Sequence, residues 1–381
     1  MLYLDAAATA PLRPEAREAM LRVWDTAHAN PSSVHSPGHN AAREVDHARS
    51  VIAEVFGIRP EGVVFTSGGT EANNLGIIGR ALAHPRGRHV ITSPIEHSSV
   101  LASCDYLRRL HGFEVDYLSV DGEGRVDYSS MPTTIREDTT LVAVGLANSE
   151  VGSVNDVSRI SHLARDKGAG MHVDAVQAAV HLPVTLAPDG WPGPVADTLA
   201  LASHKFGGPQ GVGALLMPRH INLEPVLHGG SQEQGRRSGT HNVAGIAGFA
   251  AAVAASAQAV GARAAALMAS RDELIAAIES GVPGAQLTGH RTERLPNHAS
   301  FVVDGVSGES LLVALDTAGF AVSSGSACKA GSSEPSAVLL AMGYSPEFAL
   351  SALRFTLSQP LDSATNDRIV DTIRREVALR E

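Results

Sequence analysis

Between Val63 and Met217, short apolar runs alternate with stretches of helical periodicity, and few architectures accommodate that order. The runs Val63–Thr66, His89–Thr92, Glu114–Ser119, Leu141–Leu146, Gly170–Val173, Thr198–Ala202 and Gly213–Met217 read as strands. Helices are predicted at Glu71–Ala83, Ser99–Leu110, Val157–Lys167 and, more loosely, Ala175–Val180. Strands joined through helices run parallel and are covered on both faces, so the class is α/β with a mainly parallel seven-stranded sheet. Gly208–Gly213 reads as a hairpin or turn. Sheets of this kind bind ligands beyond the carboxyl ends of their strands.

Past Met217 the pattern changes. A long helical stretch from Asn242 to Ser280, bent near Gly261, is followed by strands at Ala299–Val303 and Leu353–Leu357 and helices at Glu309–Ala318 and Asp362–Arg380. These predict a smaller α+β domain, as expected of a chain too long for one small core. The division expected is a large domain over 15–255 and a small one from 1–14 and 256–381. A net charge of -10 with no basic run argues against direct nucleic-acid binding. No signal peptide precedes Asp5, and Val243–Ala255 is too short and too weakly apolar to span a bilayer. Two cysteines, Cys104 and Cys328, make no disulfide framework and fit a reducing compartment, so a cytoplasmic location off the membrane is expected.

Of 30 basic residues only Lys167, Lys205 and Lys329 are lysines. An amine can lose its proton and condense with an aldehyde, whereas a guanidinium stays charged, so scarce lysines mark candidate amine chemistry. Lys205 follows the apolar run Leu199–Ala202, and Lys329 follows Cys328. Lys167, before Gly168, reads as a solvated charge.

Four signals lie at predicted strand ends. Thr66-Ser67-Gly68-Gly69-Thr70-Glu71 suits a phosphate at a helix start, or is a glycine-rich turn capped by Thr70. His97 can stack on an aromatic ligand or shuttle protons, or is a surface histidine. Asp174 ends a buried strand and needs a cationic or hydrogen-bonding partner. Ser203-His204-Lys205 supplies an amine. A phosphate site, a stacking ring, an acid for a ring nitrogen and an amine for an aldehyde together describe pyridoxal 5'-phosphate (PLP).

Asp174-Ala175-Val176-Gln177, Ser203-His204-Lys205, Arg237-Ser238-Gly239-Thr240 and Ser323-Ser324-Gly325-Ser326-Ala327-Cys328 resemble the signatures of the cysteine desulfurases, PLP enzymes related to class V aminotransferases. The likeness runs from Tyr3-Leu4-Asp5 through Asn30-Pro31-Ser32-Ser33 to Leu353-Arg354-Phe355. It implies PLP fold type I, the aspartate aminotransferase architecture, and conversion of L-cysteine to L-alanine in a homodimer. By that resemblance Lys205 holds the cofactor aldehyde, Asp174 meets its ring nitrogen, Gln177 its hydroxyl, and His97 stacks on the ring. Gly69, Thr70, Ser203 and His204 serve the phosphate, and Thr240 reaches it from the other subunit. Arg354 takes the substrate carboxylate as a bidentate pair, with Asn148 beside it, and Cys328 attacks the substrate sulfur. The run Gly319–Gly331, rich in glycine, serine and alanine, fits a swinging loop for that thiol. Cys104 reads as a packing residue.

The chain departs from the family pattern at Ser149, where an asparagine is usual, and at Ala202, where a serine often serves the phosphate. The segment His228–Gln234 differs slightly from the usual glycine-rich form. The end at Glu381 lacks the longer tail with which some relatives dock an iron–sulfur scaffold. A sulfur-acceptor protein is expected, for iron–sulfur assembly, tRNA thiolation or DNA sulfur modification. The alternatives are another PLP lyase such as a selenocysteine lyase, a transaminase, or a sulfur-relay protein without catalysis. A metal enzyme is not expected: His35-x-x-x-His39 is interrupted by Pro37 and Gly38.

Overall fold

The computed structural model describes residues 1–258, 260–325 and 334–379. Seven strands form the main sheet: β1 (Val63–Thr66), β2 (His89–Thr92), β3 (Glu114–Tyr117), β4 (Thr139–Gly145), β5 (Gly170–Asp174), β6 (Thr198–Ala202) and β7 (Gly213–Leu216). Their order is β1-β7-β6-β5-β4-β2-β3. All neighbours run parallel except β7, which is antiparallel to both β1 and β6. Gly208–Gly213 is therefore the return of an antiparallel pair. Every residue of β1, β2, β4, β5, β6 and β7 is buried, which is why these strands read as continuous apolar runs. β4 begins two residues before its predicted start. Thr139 and Thr140 are polar yet buried, because His89 and the Gly87 carbonyl bind their hydroxyls.

Helices Pro14–Thr26, Ser36–Val55 and Val243–Gln258 pack together over one face and share the main core. The apolar run Val243–Ala255 lies in a buried helix: eleven residues of Val243–Gln258 are buried. No single helix among the described residues is long and apolar enough to cross a membrane. The predicted Glu71–Ala83 helix starts at Gly69 and runs to Ala83, with a wide π turn at Leu75–Gly79. Ala175–Val180 condenses into a short 3-10 turn, Ala178–Val180.

A second core gathers Leu4 with residues of helices Val260–Gly281, Gly308–Thr317 and Ser363–Ala378. These helices accompany an antiparallel sheet of Ala285–Leu287, His298–Val303 and Ala352–Thr356. The N-terminal segment joins this part: Leu2–Tyr3 pairs in parallel with Phe320–Ala321. It then crosses to the large sheet, where the Ala10 N–H donates to the His204 carbonyl at 3.0 Å.

Candidate active site

The carboxyl ends of β4, β5 and β6 open into a cavity of about 660 Å³. Lys205 stands on the 3-10 turn Ser203–Lys205 that leaves β6. Phe206 anchors this turn. It is buried, with its ring centroid 6.5 Å from Phe56 and 5.9 Å from Phe249. The amine is thus held on a rigid base. Lys205 Nζ donates to the carbonyls of Ala7 and, at 2.9 Å, Ala8. Gln177 Nε2 donates to the same Ala7 carbonyl at 2.9 Å.

Asp174, the last residue of β5, is buried. Its Oδ2 accepts from Asn73 Nδ2 at 2.7 Å, and its Oδ1 from the Val176 N–H at 3.0 Å. Gly69 and Thr70 line the cavity at the start of the helix after β1. A Cβ on Gly69 would stand 2.8 Å from Val176 Cγ2 and 3.3 Å from Ala202 Cβ. Glycine lets the helix start approach Val176, just past β5, this closely, and the Ala202 methyl at the end of β6 lies beside it.

His97 caps the helix Ser98–His111, its Nδ1 accepting from the Ser99 N–H at 3.1 Å. His204 pairs with the Thr9 hydroxyl at 3.2 Å, and burial with the neighbouring Lys205 charge pushes it down to about 4. It is therefore a neutral imidazole near pH 7.

On the opposite wall, Arg354 lies at 2% exposure in the strand Ala352–Thr356. Its Nη1 donates to the carbonyls of Ser149 (2.9 Å) and Gly325 (2.8 Å), and its Nη2 to Asp5 Oδ1 (2.8 Å). A guanidinium has five N–H groups. Three are engaged, and Nε has no partner among the described residues. The departure at Ser149 leaves this arrangement intact, since its backbone carbonyl holds Arg354.

The expected residues do not all converge. Lys205, His97, Gly69, Thr70, Asp174, Gln177, His204, Asn148 and Arg354 line one cavity. The Asn148 carboxamide is occupied by backbone: it donates to the Ile95 carbonyl at 2.8 Å and accepts from the Glu150 and Val151 N–H groups. Ser203 is fully buried behind the wall, its hydroxyl without a partner among the described residues. Thr240 is exposed and away from this cavity. Cys328 and Lys329 lie outside the described residues. Cys104 is free and buried, and burial pushes its thiol up to about 12, as befits inert packing. No cluster of metal-ligating side chains occurs among the described residues.

Sequence reasoning missed three contributors. The Ala7 and Ala8 carbonyls come from far along the chain and carry no side-chain signal. Asn73 is one of two adjacent asparagines, and only the fold shows which turns inward. Glu96, beside His97, is buried; its Oε1 accepts from the Ser93 hydroxyl and its Oε2 from the Gly145 N–H, both at 2.6 Å. Burial pushes Glu96 up to about 8, the Asp174 charge adds to this, and those two hydrogen bonds oppose it. An amine on a fixed turn, a buried carboxylate across from it, a histidine and a tight helix start fit a pyridine ring bearing an aldehyde and a phosphate.

Comparison with known proteins identifies the family. A model of the aminotransferase class-V family matches residues 2–360. The cysteine desulfurase IscS of Dictyoglomus turgidum is 42% identical over 357 residues, covering 93% of this chain and 89% of the relative. The solved structure of a NifS-like protein superposes with a TM-score of 0.90 at 31% identity, covering 99% of each chain. That of SspA in complex with cysteine gives 0.80 at 30% identity, covering 95% of this chain and all of the other. The chain belongs to the class-V aminotransferases, in the cysteine desulfurase family of pyridoxal 5'-phosphate enzymes.

Proposed function

We propose that this enzyme converts L-cysteine to L-alanine and passes the sulfur to Cys328. The observation that carries the reading is the meeting of Lys205, Asp174, His97 and Arg354 in one cavity. When bound, PLP supplies an electron sink that makes the α-proton of an attached amino acid acidic. Lys205 holds the cofactor aldehyde and moves a proton at the substrate Cα. Asp174 keeps a proton on the ring nitrogen, Gln177 meets the ring hydroxyl and His97 covers the ring. Gly69, Thr70 and His204 serve the phosphate. Arg354 binds the substrate carboxylate and so orients the Cα–H and the sulfur. The Cys328 thiolate attacks that sulfur: an S–S bond forms, the substrate C–S bond breaks with its electron pair going to carbon, and protonation there completes alanine. The product on the enzyme is a persulfide, which a sulfur-acceptor protein discharges.

The homodimer belongs to the same reading, with Thr240 completing the partner subunit's phosphate site; its exposure away from its own cavity supports this. We also propose the division into 15–255 and 1–14 with 256–381, supported by the separate second core that includes Leu4. A cytoplasmic setting is part of the same reading, supported by a sequence with two cysteines and no disulfide framework.

The test is Cys328→Ala. Alanine production from L-cysteine is expected to collapse while the visible absorption of the Lys205-bound cofactor stays. Undiminished turnover in that variant would overturn the mechanism. Lys205→Arg is expected to lose both the absorption and the turnover.

A further inference from the structure

We propose that Asn73 is a positioning residue whose single carboxamide anchors Asp174 and, through the Ser99 hydroxyl, reinforces the Nε2–H tautomer of His97 that the Ser99 N–H selects. The proposal rests on the roles given to Asp174 and His97 above.

Asn73 is 1% exposed, on the helix that starts at Gly69. Its Nδ2 donates to Asp174 Oδ2 at 2.7 Å and to Ser99 Oγ at 2.8 Å. Its Oδ1 lies 3.0 Å from His172 Nε2. An amide can sit either way round, and the network decides which. An ionised carboxylate only accepts, so the NH2 end faces Asp174. Ser99 Oγ then accepts from Asn73, and its own proton is directed to His97 Nδ1, 2.7 Å away. The Ser99 N–H donates to the same Nδ1. With two donors aimed at it, Nδ1 is an acceptor, and the proton of the neutral His97 ring is on Nε2.

The other end of the amide closes consistently. Asn73 Oδ1 requires a proton on His172 Nε2, leaving His172 Nδ1 to accept from the Thr198 hydroxyl at 2.8 Å. His172 is fully buried, and burial pushes it down to about 4, so it is neutral and has one proton to place. Gly76 leaves room for this ring: a Cβ there would stand 2.4 Å from His172 Nδ1. Every donor from Thr198 through His172 and Asn73 to Asp174 and His97 thus finds an acceptor. Reversing the amide sets two acceptors against each other, Asn73 Oδ1 and Asp174 Oδ2. A buried network with one consistent direction fixes its members more firmly than separate pairs would.

The experiment uses the apoprotein and its reconstitution with PLP, so it does not depend on turnover. Long-range 15N NMR of histidine-labelled apoprotein, with His97 identified by its absence in His97→Gln, is expected to show the Nε2–H form. Asn73→Ala and the near-isosteric Asn73→Leu are expected to weaken PLP binding about tenfold, the loss of one hydrogen bond to a charged group, and to shift the His97 Nδ1 signal. Ser99→Ala cuts only the His97 arm. It is expected to move the His97 signal with PLP affinity within about twofold of the parent, and it decides the matter should the Asn73 variants not fold. An Nδ1–H form in the parent protein overturns the proposal. So does a His97 signal unmoved in Ser99→Ala, or PLP affinity and His97 signal both unchanged in the folded Asn73 variants. Failure of the Cys328→Ala test leaves these readouts standing, so the two ideas fall separately.

Discussion

Glu96 has both oxygens enclosed, one by Ser93 and one by the Gly145 N–H, within reach of the Asp174 field. Its carboxyl is raised from an ordinary value of 4.5 to about 8 in the folded protein. Between those values the native state keeps a proton that the unfolded chain has shed, so stability falls as pH rises through the window. Glu96→Gln removes that dependence. Its amide oxygen can accept from Gly145 and its NH2 can donate to Ser93. Thermal unfolding from pH 5 to pH 8 is expected to show a smaller decline in Tm for the variant than for the parent, and parallel declines would count against a neutral Glu96. Sequence reasoning passed over this residue, and its charge state was not legible there. Charge depends on the strand ends that close over it, and those come from three separate stretches of sequence.

Among the described residues, the only non-glycine left-handed backbone lies in the segment after β7. Ser231, Glu233 and Gln234 all have left-handed backbone, with φ of 57°, 47° and 58°. Such residues cost about 1–3 kcal/mol each and persist only where their surroundings hold them. Glu233 supplies the hold. It takes a two-pronged ion pair from Arg49 at 2.7 and 2.8 Å, a bond from the Phe65 N–H at 2.9 Å and one from His241 at 2.6 Å. Burial would raise this carboxyl, but the hydrogen bonds from Arg49 and His241 outweigh it and hold the group at about 2. Its contribution is therefore present above pH 4.5 and lost as pH falls through about 2. Glu233→Ala leaves Arg49 largely buried without its carboxylate, keeping only the Val63 carbonyl and the Phe65 ring, and urea unfolding is expected to show a loss of about 3–5 kcal/mol. A loss under about 1 kcal/mol would show that the segment holds itself. None of this was legible in His228–Gln234 beyond a departure from pattern, because a left-handed serine or glutamate has no local signature. The sheet was legible for the opposite reason: strands buried on both faces must be apolar throughout, and the Val63–Thr66, His89–Thr92 and Thr198–Ala202 boundaries follow directly.

At the scale of the molecule, the first thirteen residues tie the second core to the lysine turn. Leu4 is 1% exposed in that core, Ala6 and Ala7 donate to Thr356, and Asp5 meets Arg354. The next residues hold Lys205 through two carbonyls, and Arg13 Nε donates to the Phe206 carbonyl at 2.8 Å. Leu4→Ala is expected to cost about 2–5 kcal/mol, the usual range for a buried leucine. Motifs in sequence could place Lys205 and Arg354 in one site, yet could not reveal that a single N-terminal strip fastens both. Backbone carbonyls are the same in every residue, so nothing in Ala7-Ala8 distinguishes them. The strip makes the cofactor's colour a gauge of a distant part of the protein. If the second core loosens first on heating, the strip goes with it and the lysine loses its seat while the large sheet still stands. In Leu4→Ala, visible absorbance is therefore expected to fade at a lower temperature than the far-ultraviolet signal, and coincident transitions would mean that the strip is no tether.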